Sequence, residues 1–131
     1  MEKGKGKDTG PIRLLLVDDE VGYVDVLKKR MARRGFEVTA AVNGTAGIQA
    51  LRRQPFDVAV LDLKMEDLDG IEVLKIFKKM DPDMPVIMLT GHGSEQSARE
   101  GMALGAFDYL TKPCDLAELI EKIEQAVERR R

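Results

Sequence analysis

Acidic side chains stand where apolar runs stop. The run LLLV, residues 14–17, ends on Asp18-Asp19, and VAVL, residues 58–61, ends on Asp62. Two further runs end on a hydroxyl, Thr90, and on Thr111-Lys112-Pro113. A carboxylate placed directly after a buried segment needs a partner, because an unpaired buried charge is very costly. Clustered carboxylates repel one another unless a cation neutralises them. Oxygen ligands without a partnered His or Cys suit Mg²⁺ or a similar hard cation, which keeps several waters and is typically shared with phosphate. A carboxylate beside such a cation can act as a nucleophile on phosphorus and form an acyl phosphate. Lys112 would then hold one phosphoryl oxygen as a point charge, and Thr90 would donate to another. Singly, each residue has a plainer use. Asp18 or Asp19 could cap a helix, Thr90 could satisfy a loop, and Lys112 could be a solvated lysine. Asp62 is harder to dismiss, and the matched set at several segment ends is what points to a site.

These groups share one edge only if the segments before them are parallel strands. Residues 12–17 (IRLLLV) form a continuous apolar run, as strands buried on both faces do. Val21, Val24, Leu27 and Met31 then recur at helical spacing up to Gly35. Residues 36–42 read as a second strand, Asn43-Gly44 as a turn and 46–53 as a helix ended before Pro55. Residues 58–61 are the third strand, and 71–80 a helix with Ile71, Leu74 and Phe77 or Met80 inward. Residues 85–89 are the fourth strand. Ser94 is placed to cap a helix over 95–104 that Gly105 stops. Residues 107–110 are a short fifth strand. Asp115 caps a last helix, with Leu116, Leu119, Ile120, Ile123 and Val127 on one stripe. This alternation predicts a three-layer α/β sandwich with a parallel sheet, whose ligands bind outside the carboxyl ends of the strands.

The composition fits one folded domain. The chain has 131 residues, 44% of them hydrophobic, and a net charge of −2 that gives no drive towards nucleic acid or an acidic membrane. The single cysteine, Cys114, precludes an internal disulfide and reads as a small buried residue. The seven Met residues fall mostly at apolar positions and read as core. No run approaches a membrane span, and MEKGKGKDTG lacks the apolar centre of a signal peptide. A soluble cytoplasmic protein is expected, with residues 1–10 a flexible tail, 11–128 the domain and 129–131 its end or the start of a linker.

The stretches LLLVDDE, DVAVLDLKM, LDG, VIMLTGHG and GAFDYLTKP carry Asp18-Asp19, Asp62, Thr90 and Lys112-Pro113 in order. Over residues 11–128 this pattern resembles the receiver domain of two-component response regulators. The resemblance implies a (βα)5 flavodoxin-like fold with five parallel strands in the order 2-1-3-4-5 and the acidic site between strands one and three. It implies Asp62 as phosphoacceptor, with Asp18, Asp19, Asp62 and the backbone carbonyl of Lys64 around Mg²⁺, for which Mn²⁺ or Ca²⁺ could substitute. Thr90 and Lys112 would contact the phosphoryl group, and the Lys112–Pro113 bond would be cis. The partner would be a sensor histidine kinase or phosphotransfer protein, and the acyl phosphate would later be hydrolysed.

Switching would couple Thr90 to Tyr109 and bias the face made by helix four, strand five and helix five, through which a homodimer is also admissible. Lys64 and His92 would tune acyl-phosphate lifetime. The TGHGS stretch and the IEKIEQAVERRR end look most like receivers of ATPase-type transcription activators, in which DNA is bound by another domain. One departure stands out: Glu66-Asp67 replace the family's usual Pro-Gly. The two readings are an exposed, tolerant loop, or acids that strengthen cation binding or discourage an anionic phosphodonor.

Three rivals are weighed. A degenerate receiver that takes no phosphate conflicts with the full set of key side chains. An aspartyl phosphatase of the haloacid-dehalogenase type wants an acid two residues after the nucleophile, where Lys64 stands. A flavin carrier wants a Ser/Thr/Gly-rich phosphate loop, where Asp18-Asp19-Glu20 would repel phosphate.

Overall fold

The computed structural model describes residues 10–91 and 95–130. Strands β1 (Arg13–Val17), β2 (Glu37–Ala41), β3 (Val58–Asp62), β4 (Val86–Thr90) and β5 (Asp108–Thr111) alternate with helices α1 (Val21–Arg33), α2 (Gly44–Arg53), α3 (Gly70–Met80), α4 (Glu95–Ala103) and α5 (Leu116–Arg130). The strands pair in parallel in the order β2-β1-β3-β4-β5. This is the α/β sandwich and the strand order expected from the sequence.

The continuous apolar runs are explained by two cores, one on each face of the sheet. Leu14 and Leu16 of β1 join Val60, Ile87 and Leu89 under α1 and α5, where Leu27, Met31, Leu119 and Ile123 close the layer. Leu15 and Val17, pointing the other way, join Ala59, Leu61 and Met88 under α2 and α3, where Leu51, Leu74 and Phe77 face them. The period-two alternation of a strand thus feeds both layers, which is why no polar residue interrupts the central strands.

Several boundaries differ from the sequence reading. β3, β4 and β5 each run one residue further, so Asp62, Thr90 and Thr111 sit in the ladder itself, Asp62 opposite Leu89 and Thr90 opposite Thr111. Backbone pairing does not depend on side-chain polarity, so the ladder continues past the apolar run. α2 starts at Gly44 rather than residue 46, because the Asn43 side chain accepts from the Ala46 N–H and caps the helix two residues earlier. Neither Asp18 nor Asp19 is the cap residue of α1; Glu20 holds that position without a side-chain bond. Val21 points to solvent, and in α3 it is Phe77 that is buried while Met80 is exposed. Of the methionines, Met31, Met84 and Met88 are in the core, whereas Met80 and Met102 are exposed. Cys114 is half-buried rather than buried. Ser94, expected as a cap, and residues 1–9 lie outside the described residues.

Close approach decides where the β3–α3 connection turns. A Cβ on Gly70 would stand 2.4 Å from Leu63 Cα and 2.8 Å from Leu63 O, both backbone atoms that cannot give way cheaply. Gly22, on the open face of α1, has nothing within 4 Å of the same position. Gly70→Ala is therefore expected to lower unfolding free energy by roughly 2 kcal/mol. Gly22→Ala should raise it by about 0.5 kcal/mol through helix propensity. Urea denaturation of the two variants checks this, and equal midpoints would contradict the close approach.

Candidate functional site

The C-terminal ends of β1, β3, β4 and β5 bring Asp18, Asp62, Thr90 and Lys112 to one edge. Asp18, Asp62 and Thr90 are the buried polar side chains among the described residues. Lys112 reaches back 94 residues in sequence to place its ammonium 2.8 Å from Asp18 Oδ2. The same nitrogen pairs with Glu20 and lies 3.7 Å from Asp62 Oδ2. Asp18 Oδ1 accepts the Glu20 N–H at 2.9 Å, and Asp62 Oδ1 accepts the Lys64 N–H at 3.2 Å. The cavity above these groups holds about 250 Å³ and is lined by Asp19, Glu20, Asp62, Lys64, Gly91 and Lys112.

Burial pushes the Asp62 carboxyl up to about 6, with the charges of Asp18 and Asp19 adding and the Lys64 N–H and Lys112 opposing. Burial alone would lower Lys112, but its bonds to Asp18 and Glu20 outweigh that and hold it above the usual lysine range. Lys112 also sits 4.8 Å over the ring of Tyr23, whose hydroxyl faces Cys114 Sγ at 3.8 Å. The Lys112–Pro113 bond is cis, as expected.

The carboxylate oxygens that approach within 4.8 Å of one another belong to Asp18, Glu20 and Asp62. The sequence reading took Asp19 in place of Glu20. Asp19 does line the cavity, but Lys112 draws Glu20 into the cluster. This donor set is all oxygen and partly buried, which suits a hard divalent cation. Glu20 was legible as the third acid of DDE; Tyr23 had no signal, because an aromatic on the inner face of a helix is ordinarily core.

The two residues expected to switch are Thr90 and Tyr109. Thr90 Oγ1 donates to Leu110 O at 3.4 Å, a long bond, and Tyr109 is 44% exposed. Lys64 is exposed at the cavity rim, and His92 lies outside the described residues.

Asp67 is exposed, as the loop reading of the Glu66-Asp67 departure has it, but its side chain is bonded. Its carboxylate turns away to the start of α2, accepting the Gly44 N–H at 2.9 Å, the Thr45 N–H at 3.0 Å and the Thr45 hydroxyl at 3.0 Å. The Thr45 and Gly44 amides hold its carboxyl down at about 2. Glu66 remains exposed.

A family model of the response regulator receiver domain matches residues 14–124. The transcriptional regulatory protein GlrR of Escherichia coli is 39% identical over 118 residues, covering 90% of this chain and 27% of that protein. ZraR of Salmonella typhimurium, also a transcriptional regulatory protein, is 35% identical over 118 residues, with the same coverage of 90% and 27%. The chain therefore spans about a quarter of the length of these relatives. A response regulator receiver domain from Clostridium thermocellum superposes with a TM-score of 0.87 at 36% identity, covering 91% of this chain and 96% of that one.

Without metal, an ionised Asp62 costs the fold. Its carboxyl ionises at 3.8 ordinarily and at about 6 when folded, so the penalty is absent below the first value and complete above the second. Asp62→Asn keeps the shape and removes the charge. In EDTA near pH 7.5 it is expected to raise stability by about 3 kcal/mol, at roughly 1.4 kcal/mol per pH unit of displacement. The gain should fade as pH drops towards about 4. Lys112→Ala should do the opposite, losing roughly 2–3 kcal/mol by leaving Asp18 buried and unpaired. Thermal unfolding across pH checks both; an Asp62→Asn protein no more stable than wild type near pH 7.5 would overturn the first.

Proposed function

This chain belongs to the response regulator receiver domain family, and on that premise we propose that Asp62 is its phosphoacceptor, loaded from the phosphohistidine of a sensor histidine kinase or phosphotransfer protein. The observation that carries the assignment is a buried carboxylate, 5% exposed, at the floor of a cavity and 3.7 Å from the Lys112 ammonium. Asp62 opens to the cavity on its Oδ2 side while Oδ1 is held by the Lys64 N–H. With a carboxyl near 6 it is mostly ionised at neutral pH and ready to attack. The Asp62 oxygen–phosphorus bond forms as the phosphorus–nitrogen bond breaks, and the imidazole leaves with the electron pair.

Asp18, Asp19, Asp62 and the Lys64 carbonyl would hold Mg²⁺, with Glu20 added by its place in the oxygen cluster. When bound, the cation would neutralise the carboxylates and hold a phosphoryl oxygen; Mn²⁺ and Ca²⁺ share its preference for oxygen. Lys112 Nζ lies 2.8 Å from Asp18 Oδ2 and 3.7 Å from Asp62 Oδ2, which supports its positive charge meeting the phosphoryl oxygens. Thr90 gives up only a long bond to Leu110 when its hydroxyl turns to the phosphoryl group. Tyr109, now outside, would then turn into the space that Thr90 leaves. The surface that changes carries exposed Met102, Leu104 and Tyr109, on α4, after it and on β5, and would serve an output or a second copy. By the names of GlrR and ZraR, the output we propose is transcription. Lys64 and His92 would set the rate at which the chain hydrolyses its own acyl phosphate.

Amide NMR with Mg²⁺ and beryllofluoride, an acyl-phosphate mimic, tests the switch. Large shifts are expected around Asp62, Thr90, Tyr109 and α4, and none in Asp62→Asn. Mg²⁺ shifts without a beryllofluoride response would favour the degenerate reading. For lifetime, Lys64→Ala and His92→Ala should each change the dephosphorylation rate several-fold; unchanged rates in both would remove their role.

A further inference from the structure

The β3–α3 loop begins at the phosphoacceptor and carries Lys64 along the cavity rim. At its base it is closed by two bonds. The Lys64 N–H donates to Asp62 Oδ1 at 3.2 Å, and the Gly70 N–H donates to Leu63 O at 3.2 Å, where close packing excludes a Cβ. At its end Asp69 caps α3 by accepting the Ile71 N–H at 3.0 Å. Between these points, Leu68 packs close to Gly44 and, with Met65, against the core on that face, while the hydrogen bonds to another element among the described residues come from Asp67. It binds the Gly44 and Thr45 N–H groups and the Thr45 hydroxyl, 22 to 23 residues away in sequence, and also accepts the Leu68 N–H at 2.8 Å. The first N–H groups of a helix have no partner within it, and its dipole favours an anion there. Asn43 serves Ala46, and Asp67 serves the two groups ahead of it.

We propose that Asp67 is a positioning residue for phosphoryl transfer: by tying the loop to the start of α2, it holds the Lys64 backbone against the cavity where the cation binds. This rests on the site proposed above. It reverses the electrostatic explanation of the Glu66-Asp67 pair, since a carboxylate engaged by four donors acts through the loop it holds and not through attraction of a cation. The two accounts part on an isosteric neutral change. Asp67→Asn keeps an Oδ1 acceptor for Gly44 and Leu68 while losing the charge; Asp67→Ala loses both.

The test is a Mg²⁺ titration followed by amide NMR on wild type, Asp67→Ala, Asp67→Asn and Asp62→Asn, at low salt and at about 0.5 M salt. Hydrogen exchange of the Gly44, Thr45 and Lys64 amides is read without metal. Asp67→Ala is expected to weaken Mg²⁺ roughly tenfold, the scale at which groups that orient metal ligands act. The ratio should hold at both salts, with faster Lys64 exchange, and Asp67→Asn should stay within about threefold of wild type. Unchanged affinity in Asp67→Ala, even with a lower urea midpoint, would reduce the anchor to a structural one and overturn the proposal. An Asp67→Asn loss equal to that of Asp67→Ala, vanishing at high salt, would overturn it in favour of direct attraction. In both of those outcomes wild type still binds Mg²⁺ at Asp62, so the phosphoacceptor reading stands. A wild type that shows no Mg²⁺ response would remove that reading and this one with it.

Discussion

Asp18 carries a carboxylate that solvent does not reach, and its burial is tolerable because the Lys112 ammonium lies 2.8 Å away. A carboxylate in that position without a cation would destabilise the fold or take up a proton. The pair joins β1 to the end of β5 across the intervening β3 and β4, so the outer strand on that side must be in register before the charge is neutralised. Glu20 and Asp62 then gather around the same nitrogen, whose charge partly offsets the rise that burial and the charges of Asp18 and Asp19 impose on the Asp62 carboxyl. The energetic demand of one buried acid therefore assembles the charged group at this edge.

The rest of the fold is arranged so that this edge stays open while everything behind it is dry. Both faces of β1, β3 and β4 are covered by helices, and the apolar side chains alternate between the two cores. Only the ends of the strands are free to carry polar groups, and Asp18, Asp62 and Thr90 are found there. Tight contacts fix how the covering elements sit. Gly70 lets the β3–α3 connection fold back on Leu63, and a Cβ on Gly101 would stand 2.1 Å from Met88 Sδ, which shows how closely α4 lies on β4. The loops of the edge are less tightly determined than the sheet, and their conformations rest on a few bonds such as those of Asp67 and Asn43.

The switch proposed for Thr90 and Tyr109 would start from the following arrangement. The Thr90 hydroxyl makes a long bond to Leu110 O, and Tyr109, like Met102 and Leu104, is exposed. A long hydroxyl bond at a buried site and an exposed tyrosine would let such a switch move at little cost.

Much of this was written in the sequence. The uninterrupted apolar runs determined that the strands are parallel and covered on both faces, because only such strands can do without polar alternation. Their abrupt ends on Asp18, Asp62, Thr90 and Thr111-Lys112 determined that the polar groups share one edge, because parallel strands all finish on the same side. What the sequence left open was decided by side-chain geometry. The sequence points to Asp19 beside Asp18 for the carboxylate cluster, and Glu20 enters it only through Lys112, since three consecutive acids differ only in the directions that the turn before α1 gives them. Tyr23 could not be told from a core aromatic until the Lys112 ammonium was found over its ring. Asp67 looked like a loop acid near the nucleophile, and only tertiary structure could show it bonded to the start of α2. A periodic pattern reports which way a strand or helix faces, but a charged side chain in a loop takes its direction from whichever unpaired donors the fold brings near it.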